Sequence, residues 1–216
     1  MATKEKKAEV IELKAIQPKI ARIRIIGDSD LILNKMNDVS KRQLIDARKD
    51  KAKDVSEKPD KWEQIITSIH WLKGNPTDMS ESGLEKALNP KNNMPCLTAF
   101  GLKKSFNQAV TRNNISTYST SFDATLNVCG LGDGLIPVQF VEHHIDEKLM
   151  SPKKGKPVLV YLNRFSGWSA EFDISFLENV YSLESIVNII NLAGFGLGIG
   201  SGRTSGYGRY HVDNVI

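Results

Sequence analysis

Cysteine is scarce in this sequence, since only Cys96 and Cys129 occur among its 216 residues. This count excludes the disulfide-rich class of small secreted domains, and it excludes the paired CxxC motifs of structural zinc sites. Two isolated cysteines are typical of reduced, apolar side chains in a cytoplasmic protein. We therefore expect a fold that depends on its hydrophobic core, without a disulfide and without a bound metal.

Long hydrophobic runs are lacking as well. No segment approaches the roughly 18 consecutive apolar residues that a membrane-spanning helix needs. Residues 2–7 mix lysine with glutamate and contain no apolar stretch of the kind found in secretory signals. The sequence therefore predicts a cytoplasmic protein with no membrane partner.

Neither sign of charge dominates strongly. Lysine and arginine number 29 and aspartate and glutamate 25, which gives a formal net charge of +4 and a pI near 8.9. This small excess favours an anionic partner. Hydrophobic residues make up 40% of the chain, an ordinary value for a globular protein, and we expect one domain over residues 1–216.

The apolar pattern predicts the order of the elements. From Ile20 to Gly27, apolar residues alternate with Arg22 and Arg24, which predicts a half-buried strand with both arginines on one face. Further patterns predict helices over 97–110 and 183–193, strands over 118–128 and 210–212, and a hairpin over 158–176. This order predicts an α+β chain with a modified ferredoxin-like (RRM-like) βαββαβ sheet. A charged insertion at 34–95 and a loop insertion at 130–157 interrupt it.

The helix predicted over 97–110 has a clear start and a broad apolar face. Thr98 is a suitable N-cap, because its hydroxyl can accept a hydrogen bond from an amide of the first turn. Phe100, Leu102 and Phe106 are expected to share the buried face. Ser182 is the corresponding cap of the helix over 183–193.

A glycine-rich loop, residues 194–210, holds seven of the sixteen glycines in the chain. Glycine at this density allows positive φ and leaves backbone amides free to approach a ligand. The loop also carries guanidinium, hydroxyl and aromatic groups, which bind phosphates and stack on bases. The alternative is a tight connection from helix to strand in which the glycines serve only close packing.

Three segments resemble the RAMP superfamily of CRISPR-associated RNA-binding proteins. Residues 198–212, GIGSGRTSGYGRYHV, are similar to that family's glycine-rich loop of the form GxGxxRSxGYGRxxV. Residues 95–104 partly match its proline–glycine–serine–serine–leucine–lysine–glycine segment, with the serines replaced and Lys104 at the usual glycine position. Residues 25–31 resemble the end of its first strand. The C-terminal third is also similar to uncharacterised bacteriophage proteins, which implies a bacterial host cell.

The resemblance implies an RRM-like fold that binds single-stranded RNA or DNA along its backbone, with RNA favoured. Family members often assemble head to tail, so self-association in a filament or ring, or membership of a ribonucleoprotein, is expected. The insertion at 34–95 corresponds to a thumb-like projection. Arg203 and Arg209 are expected to hold phosphates and Tyr207 or Tyr210 to stack a base. The predicted binding residues are Gly200, Gly202, Arg203, Thr204, Ser205, Gly206, Tyr207, Gly208, Arg209, Lys103, Lys104, Arg22 and Arg24.

No catalytic residue, cofactor or metal site is predicted. The glycines at 196–202 precede a strand and are followed by no helix, unlike a dinucleotide-binding loop. His143 and His144 are neighbours that point to opposite sides of a strand, so a surface pair is favoured over a metal site. Two alternatives stay open: an endoribonuclease that uses Asp28, Asp30 or His211, and a protein-interaction module that joins or imitates a CRISPR-type assembly.

Overall fold

The computed structural model describes residues 17–36, 41, 45, 60–115, 119–150 and 158–216. Two parts of the predicted insertions lie outside these ranges: most of residues 37–59 in the charged insertion at 34–95, and residues 151–157 in the loop insertion at 130–157. The chain has the mixed α+β character that the sequence predicts. Its strands are β1 (Lys19–Gly27), β2 (Leu31–Leu33), β3 (His70–Trp71), β4 (Pro95–Thr98), β5 (Leu126–Cys129), β6 (Leu135–Gln139), β7 (Glu142–Met150), β8 (Val158–Ser166), β9 (Ser169–Phe176) and β10 (Tyr210–Val215). Its helices are α1 (Lys61–Thr67), α2 (Glu81–Leu88), α3 (Ala99–Arg112), α4 (Ser119–Thr125) and α5 (Leu183–Gly196).

The first sheet is antiparallel and has seven strands in the order β10, β1, β9, β6, β4 and β3, with β5 also paired to β9. One face of this sheet packs against α3 and α5, where Phe106 lies 6.3 Å from Phe172 between ring centroids. Ile23 and Ile25 are fully buried on β1. The intervening Arg22 and Arg24 therefore lie on the opposite, open face, as the alternation predicts.

Strands β2, β8 and β7 form a second sheet of three strands. The predicted hairpin over 158–176 is therefore wrong. β8 pairs with β2 and β7, whereas β9 pairs with β1 in the first sheet. The chain changes sheet at Gly167, whose φ is +60°. The buried Trp168 indole then donates from Nε1 to the Ser29 carbonyl at 2.7 Å. Consecutive strands thus belong to different sheets, because β8 pairs with β2 and with the preceding β7, whereas β9 pairs with β1.

The strand predicted over 118–128 is also largely wrong, because Ser119–Thr125 forms α4 and only Leu126–Cys129 forms β5. Phe122 and Leu126 are both buried. A spacing of four residues places them on one face of a helix as readily as on alternate positions of a strand. The Phe122 ring packs edge-on against Tyr181 at 5.3 Å, which holds the helical turn against the body.

Helix α3 confirms the predicted start and corrects one residue of the predicted face. The Thr98 hydroxyl accepts a hydrogen bond from the Gly101 amide at 3.1 Å. Leu102 and Phe106 are fully buried, but Phe100 is 76% exposed. Two residues correspond to about 200° of helical rotation, so Phe100 faces away from the stripe that Leu102 begins.

The insertion returns to the body through a buried polar contact between α1 and the second sheet. Ile65 and Ile66 of α1 are fully buried. The Asn163 side chain of β8 donates to the Ile65 carbonyl at 3.0 Å and to the Ser68 hydroxyl at 2.9 Å. Its Oδ1 lies 2.9 Å from Nε2 of His143. His143 is thus half-buried and hydrogen-bonded rather than part of a surface pair.

These contacts predict a loss of stability in mild acid. Burial lowers the pKa of His143 and of His70 below the usual 6.5, so the unfolded chain takes up protons before the folded chain does. The free energy of unfolding is therefore expected to be highest above about pH 6.5 and to decrease as the pH falls through both folded pKa values. Urea unfolding at about pH 7.5 and about pH 5 measures the change. His143→Gln should reduce it, whereas His144→Gln, at an exposed residue, should not.

Candidate functional site

The glycine-rich loop is attached by its backbone to the segment that follows β1. The loop leaves α5 after Gly196 and contains a short 3-10 turn at Arg203–Ser205. Three hydrogen bonds of 2.8 Å join the two segments: Gly208 N to Asp30 O, Ser201 N to Ile32 O, and Asp28 N to Arg209 O. The Ser29 hydroxyl donates to the Gly206 carbonyl at 2.8 Å and accepts from the Arg209 amide at 2.9 Å. These hydrogen bonds fix the shape of the loop against the segment that follows β1.

Close packing explains most of the glycines at 198–208. At Gly200 and Gly208, whose φ values are +78° and +70°, an added Cβ would overlap backbone atoms of Ile32 and Ile199 respectively. Gly206 differs, because its φ is +86° but nothing lies within 4 Å of an added Cβ. Close packing thus explains Gly200 and Gly208. Any contact of the loop with a ligand would then come from its side chains and free backbone amides.

A cavity of about 260 Å³ opens beside the loop. Its walls come from the loop, from the first turns of α3, from the end of β2 and from the β3 and β4 region. Three basic side chains line it, Lys35, Lys104 and Arg203. Among the described residues that line it, none is an aspartate or glutamate. Among the described residues, neither Lys104 nor Arg203 forms an ion pair with a carboxylate, and such positive charge in a partly enclosed space attracts an anion.

His70 and Cys96 also line this cavity. Burial lowers the pKa of His70, and the positive charges of Lys35 and Lys41 lower it further. The imidazole is therefore neutral near pH 7 and can donate one hydrogen bond and accept another. Burial raises the pKa of the Cys96 thiol to about 12, so it is not a thiolate nucleophile at neutral pH.

Three of the predicted binding residues, Gly200, Lys104 and Arg203, line the cavity together. Lys103 does not, since its ammonium lies 3.3 Å from both Asp123 and Asn127 on the other side of α3. Adjacent residues on a helix point about 100° apart, which separates the two lysines.

The predicted arginines of β1 lie elsewhere, on the open face of the first sheet. Arg22 makes two hydrogen bonds to Asp173, at 2.8 and 3.2 Å. These bonds hold the pKa of Asp173 below its usual value. Arg24 lies 3.7 Å from both Glu171 and Asp213. Carboxylates of β9 and β10 therefore already neutralise both guanidinium groups.

Most of the remaining predicted residues lie on the outer surface of the loop, whereas Gly208 is buried. Thr204, Ser205 and Gly206 are exposed, while Gly202 is an exposed left-handed position before the 3-10 turn. Tyr207 is half-buried, with the Lys148 ammonium 5.2 Å from its ring centroid. Arg209 Nη2 donates to the Arg203 carbonyl at 3.4 Å. Its Nη1 is buried, and no described atom accepts a hydrogen bond from it.

Sequence reasoning missed Lys35 and His70 as members of the site. They belong to two segments that lie far from the loop along the chain, and neither lies in a recognisable motif. It also assigned Phe100 to the core, although the adjacent Gly101 and the following Lys104 line the cavity. The helical periodicity alone is enough to place Phe100 on a different face of the helix from Leu102 and Phe106.

Acidic residues considered for catalysis fall into two arrangements. Asp28 Oδ1 lies 2.6 Å from Nδ1 of His211, and both side chains are about half exposed. Asp30 instead lies 3.0 Å from Arg164, which also contacts Asp146 at 3.2 Å.

Within the described ranges, no group of three metal-ligating side chains is present. No helix in these ranges has the length and apolar character to cross a bilayer.

Comparison with known proteins gives structural similarity alone. No protein-family model matches the chain, and no curated protein does. The chain is similar in structure to a chain of the type III-B Cmr-beta complex, solved by cryo-EM bound to cognate target RNA. That match has a TM-score of 0.44 at 12% identity and covers 91% of this chain and 59% of the other. It is also similar to Cmr6 from Pyrococcus furiosus, with a TM-score of 0.40, 8% identity, and coverage of 92% of this chain and 100% of that one.

Proposed function

We propose that this chain binds single-stranded nucleic acid along its backbone, with RNA favoured over DNA, and that it does so without catalysis. The observation that carries the proposal is the cavity lined by Lys104 and Arg203, neither of which has an acidic partner among the described residues. A phosphodiester supplies the negative charge that this space lacks. Exposed hydroxyls at Thr204 and Ser205 extend the polar surface beyond the cavity.

The proposed framework is a RAMP-like, ferredoxin-like βαββαβ core made of β1, α3, β5, β9, α5 and β10. Its support is the strand order β10, β1, β9, β5, in which each neighbouring pair is antiparallel. Helix α3 connects β1 to β5 and α5 connects β9 to β10, as that scheme requires. The preference for RNA, the thumb-like role of 34–95 and assembly with further subunits rest on the resemblance of residues 198–212, and they remain predictions.

A charged cavity could also hold a free phosphate compound, and the surrounding surface favours a polymer. The cavity is open to the 3-10 turn, where neighbouring side chains are exposed rather than folded over a small ligand. Small-molecule sites usually bury most of their ligand. An open basic surface with hydroxyl and aromatic groups is instead typical of proteins that follow a single strand.

The test is direct binding of the purified chain to labelled single-stranded RNA, single-stranded DNA and a duplex of equal length at several salt concentrations. We expect both single strands to bind more tightly than the duplex. For single strands, log K should fall with log salt by about 0.7 for each phosphate contacted. Absence of binding at low salt, with the protein folded, would overturn the proposal and favour a protein-interaction role.

One observation favours a second candidate, a metal-independent endoribonuclease. The Asp28 carboxylate orients the His211 imidazole at 2.6 Å, and a positioned imidazole can serve as a general base. The binding experiment also decides this point if the RNA is recovered and examined by gel with a chelator present. Intact RNA supports binding alone. Cleavage that is lost in both Asp28→Asn and His211→Ala supports the nuclease.

A further inference from the structure

Phe100 is 76% exposed in the first turn of α3. The next residue, Gly101, and Lys104, one helical turn after Phe100, both line the basic cavity. Single exposed apolar residues are common on protein surfaces and need no explanation. The position of Phe100 at the edge of a cluster of cations gives it a more specific meaning.

Lys104 links the ring to the charged site. Its ammonium lies 5.9 Å from the centroid of the Phe100 ring, within the range of a cation–π contact. Lys104 therefore covers one face of the ring and borders the cavity at the same time. An aromatic face and a cation held side by side match the two parts of a nucleotide, a flat base and a charged phosphate.

We propose that Phe100 stacks on one unpaired nucleobase while Lys104 and Arg203 hold the adjoining phosphate in the cavity. This inference rests on the proposed function and adds to it a second kind of contact. Stacking on an aromatic ring does not select a particular base, because every base has a flat π face. The site therefore requires an unstacked single strand but reads no sequence, and a duplex with paired bases cannot use Phe100.

An apolar protein surface is the other kind of partner that an exposed phenylalanine contacts. The positive charges near Phe100 argue against such a partner. The Lys104 ammonium lies over the Phe100 ring, and the described cavity lining contains no acidic residue. A purely apolar partner would leave Lys104 and Arg203 without a counter-charge. A nucleotide provides a base that stacks on the ring and a phosphate that binds the cations.

The first test is Phe100→Ala against the matched control Phe195→Ala. Phe195 is 83% exposed on the neighbouring helix, so both substitutions remove a similar exposed ring. We expect Phe100→Ala to weaken single-strand binding by roughly 5- to 100-fold, the usual range for one stacked base. Its slope of log K against log salt should match the wild type, because no phosphate contact is lost. Phe195→Ala should leave affinity unchanged, and equal losses from both variants would overturn the assignment.

The second test replaces the bases of the strand rather than the ring. An abasic strand of the same length keeps the phosphates and removes every base. Wild type and Phe100→Ala should bind it equally, and Phe100→Tyr should bind the ordinary strand like the wild type. A Phe100→Ala effect of the same size on the abasic strand would overturn the inference. If the wild type binds the ordinary strand but Phe100→Ala is neutral, stacking fails while the proposed function stands. No binding by the wild type overturns both.

Discussion

Replacing Lys104 and Arg203 together by alanine is expected to weaken binding of single-stranded RNA by at least about 100-fold at low salt. Both side chains line the cavity beside the glycine-rich loop, and neither has an acidic partner among the described residues, so each is available to a phosphate. The slope of log K against log salt should become shallower by about 1.4, which corresponds to two lost phosphate contacts. Fluorescence anisotropy over a salt series measures both quantities.

The double substitution should leave the protein folded, so that the loss of affinity can be assigned to the two missing side chains. Lys104 is exposed, and Arg203 supports the 3-10 turn through its carbonyl, which accepts from the Gly206 amide at 3.2 Å. Alanine keeps that carbonyl. The melting temperature of the double variant should therefore stay close to that of the wild type, and a large decrease would show that the loop itself had been disturbed.

The matched control is Arg22→Ala with Arg24→Ala, which removes the same charge from the open face of the sheet. Carboxylates at Asp173, Glu171 and Asp213 already occupy these guanidinium groups. We expect a change in affinity of only a few-fold, since surface ion pairs of this kind carry little net field. Equal losses in the two double variants would contradict a localised site and would indicate a general response to net charge.

This contrast shows which part of the site the sequence could predict. Arg203 and Lys104 were found because each lies in a local motif, the first in the glycine-rich loop and the second at the start of a helix. The ion pair of Arg22 could not be found locally, because its partner Asp173 lies 151 positions away along the chain. Charge on a strand is visible in sequence, whereas the charge on its neighbours requires the strand order.

The same distinction applies to the fold. Helices α3 and α5 were predicted with their caps at Thr98 and Ser182, because capping and helical periodicity are local properties. The hairpin over 158–176 was wrong because strand pairing is not local, and β8 and β9 each find partners in separate sheets. Phe122 was misassigned because a spacing of four satisfies both periods.

The glycine-rich loop gives the second large expected effect, on stability. Gly208→Ala places a side chain at φ +70°, where its Cβ overlaps the carbonyl oxygen of Ile199. The left-handed conformation costs about 1–2 kcal/mol for alanine, and relief of the overlap costs about 1–3 kcal/mol more. Together these terms predict a loss of about 2–5 kcal/mol and a decrease in melting temperature of about 4–20 °C. Thermal unfolding followed by circular dichroism measures it.

Gly206→Ala distinguishes the cost of the left-handed conformation from the cost of the overlap. The φ of Gly206 is +86°, but nothing lies within 4 Å of an added Cβ. Only the conformational cost of about 1–2 kcal/mol should appear. The excess loss in Gly208→Ala then measures how closely the loop packs against the strand-side segment, where Gly208 N donates to Asp30 O at 2.8 Å. Equal losses in the two variants would contradict close packing at Gly208. A larger loss there means that close packing at Gly208 is required for the shape of the loop.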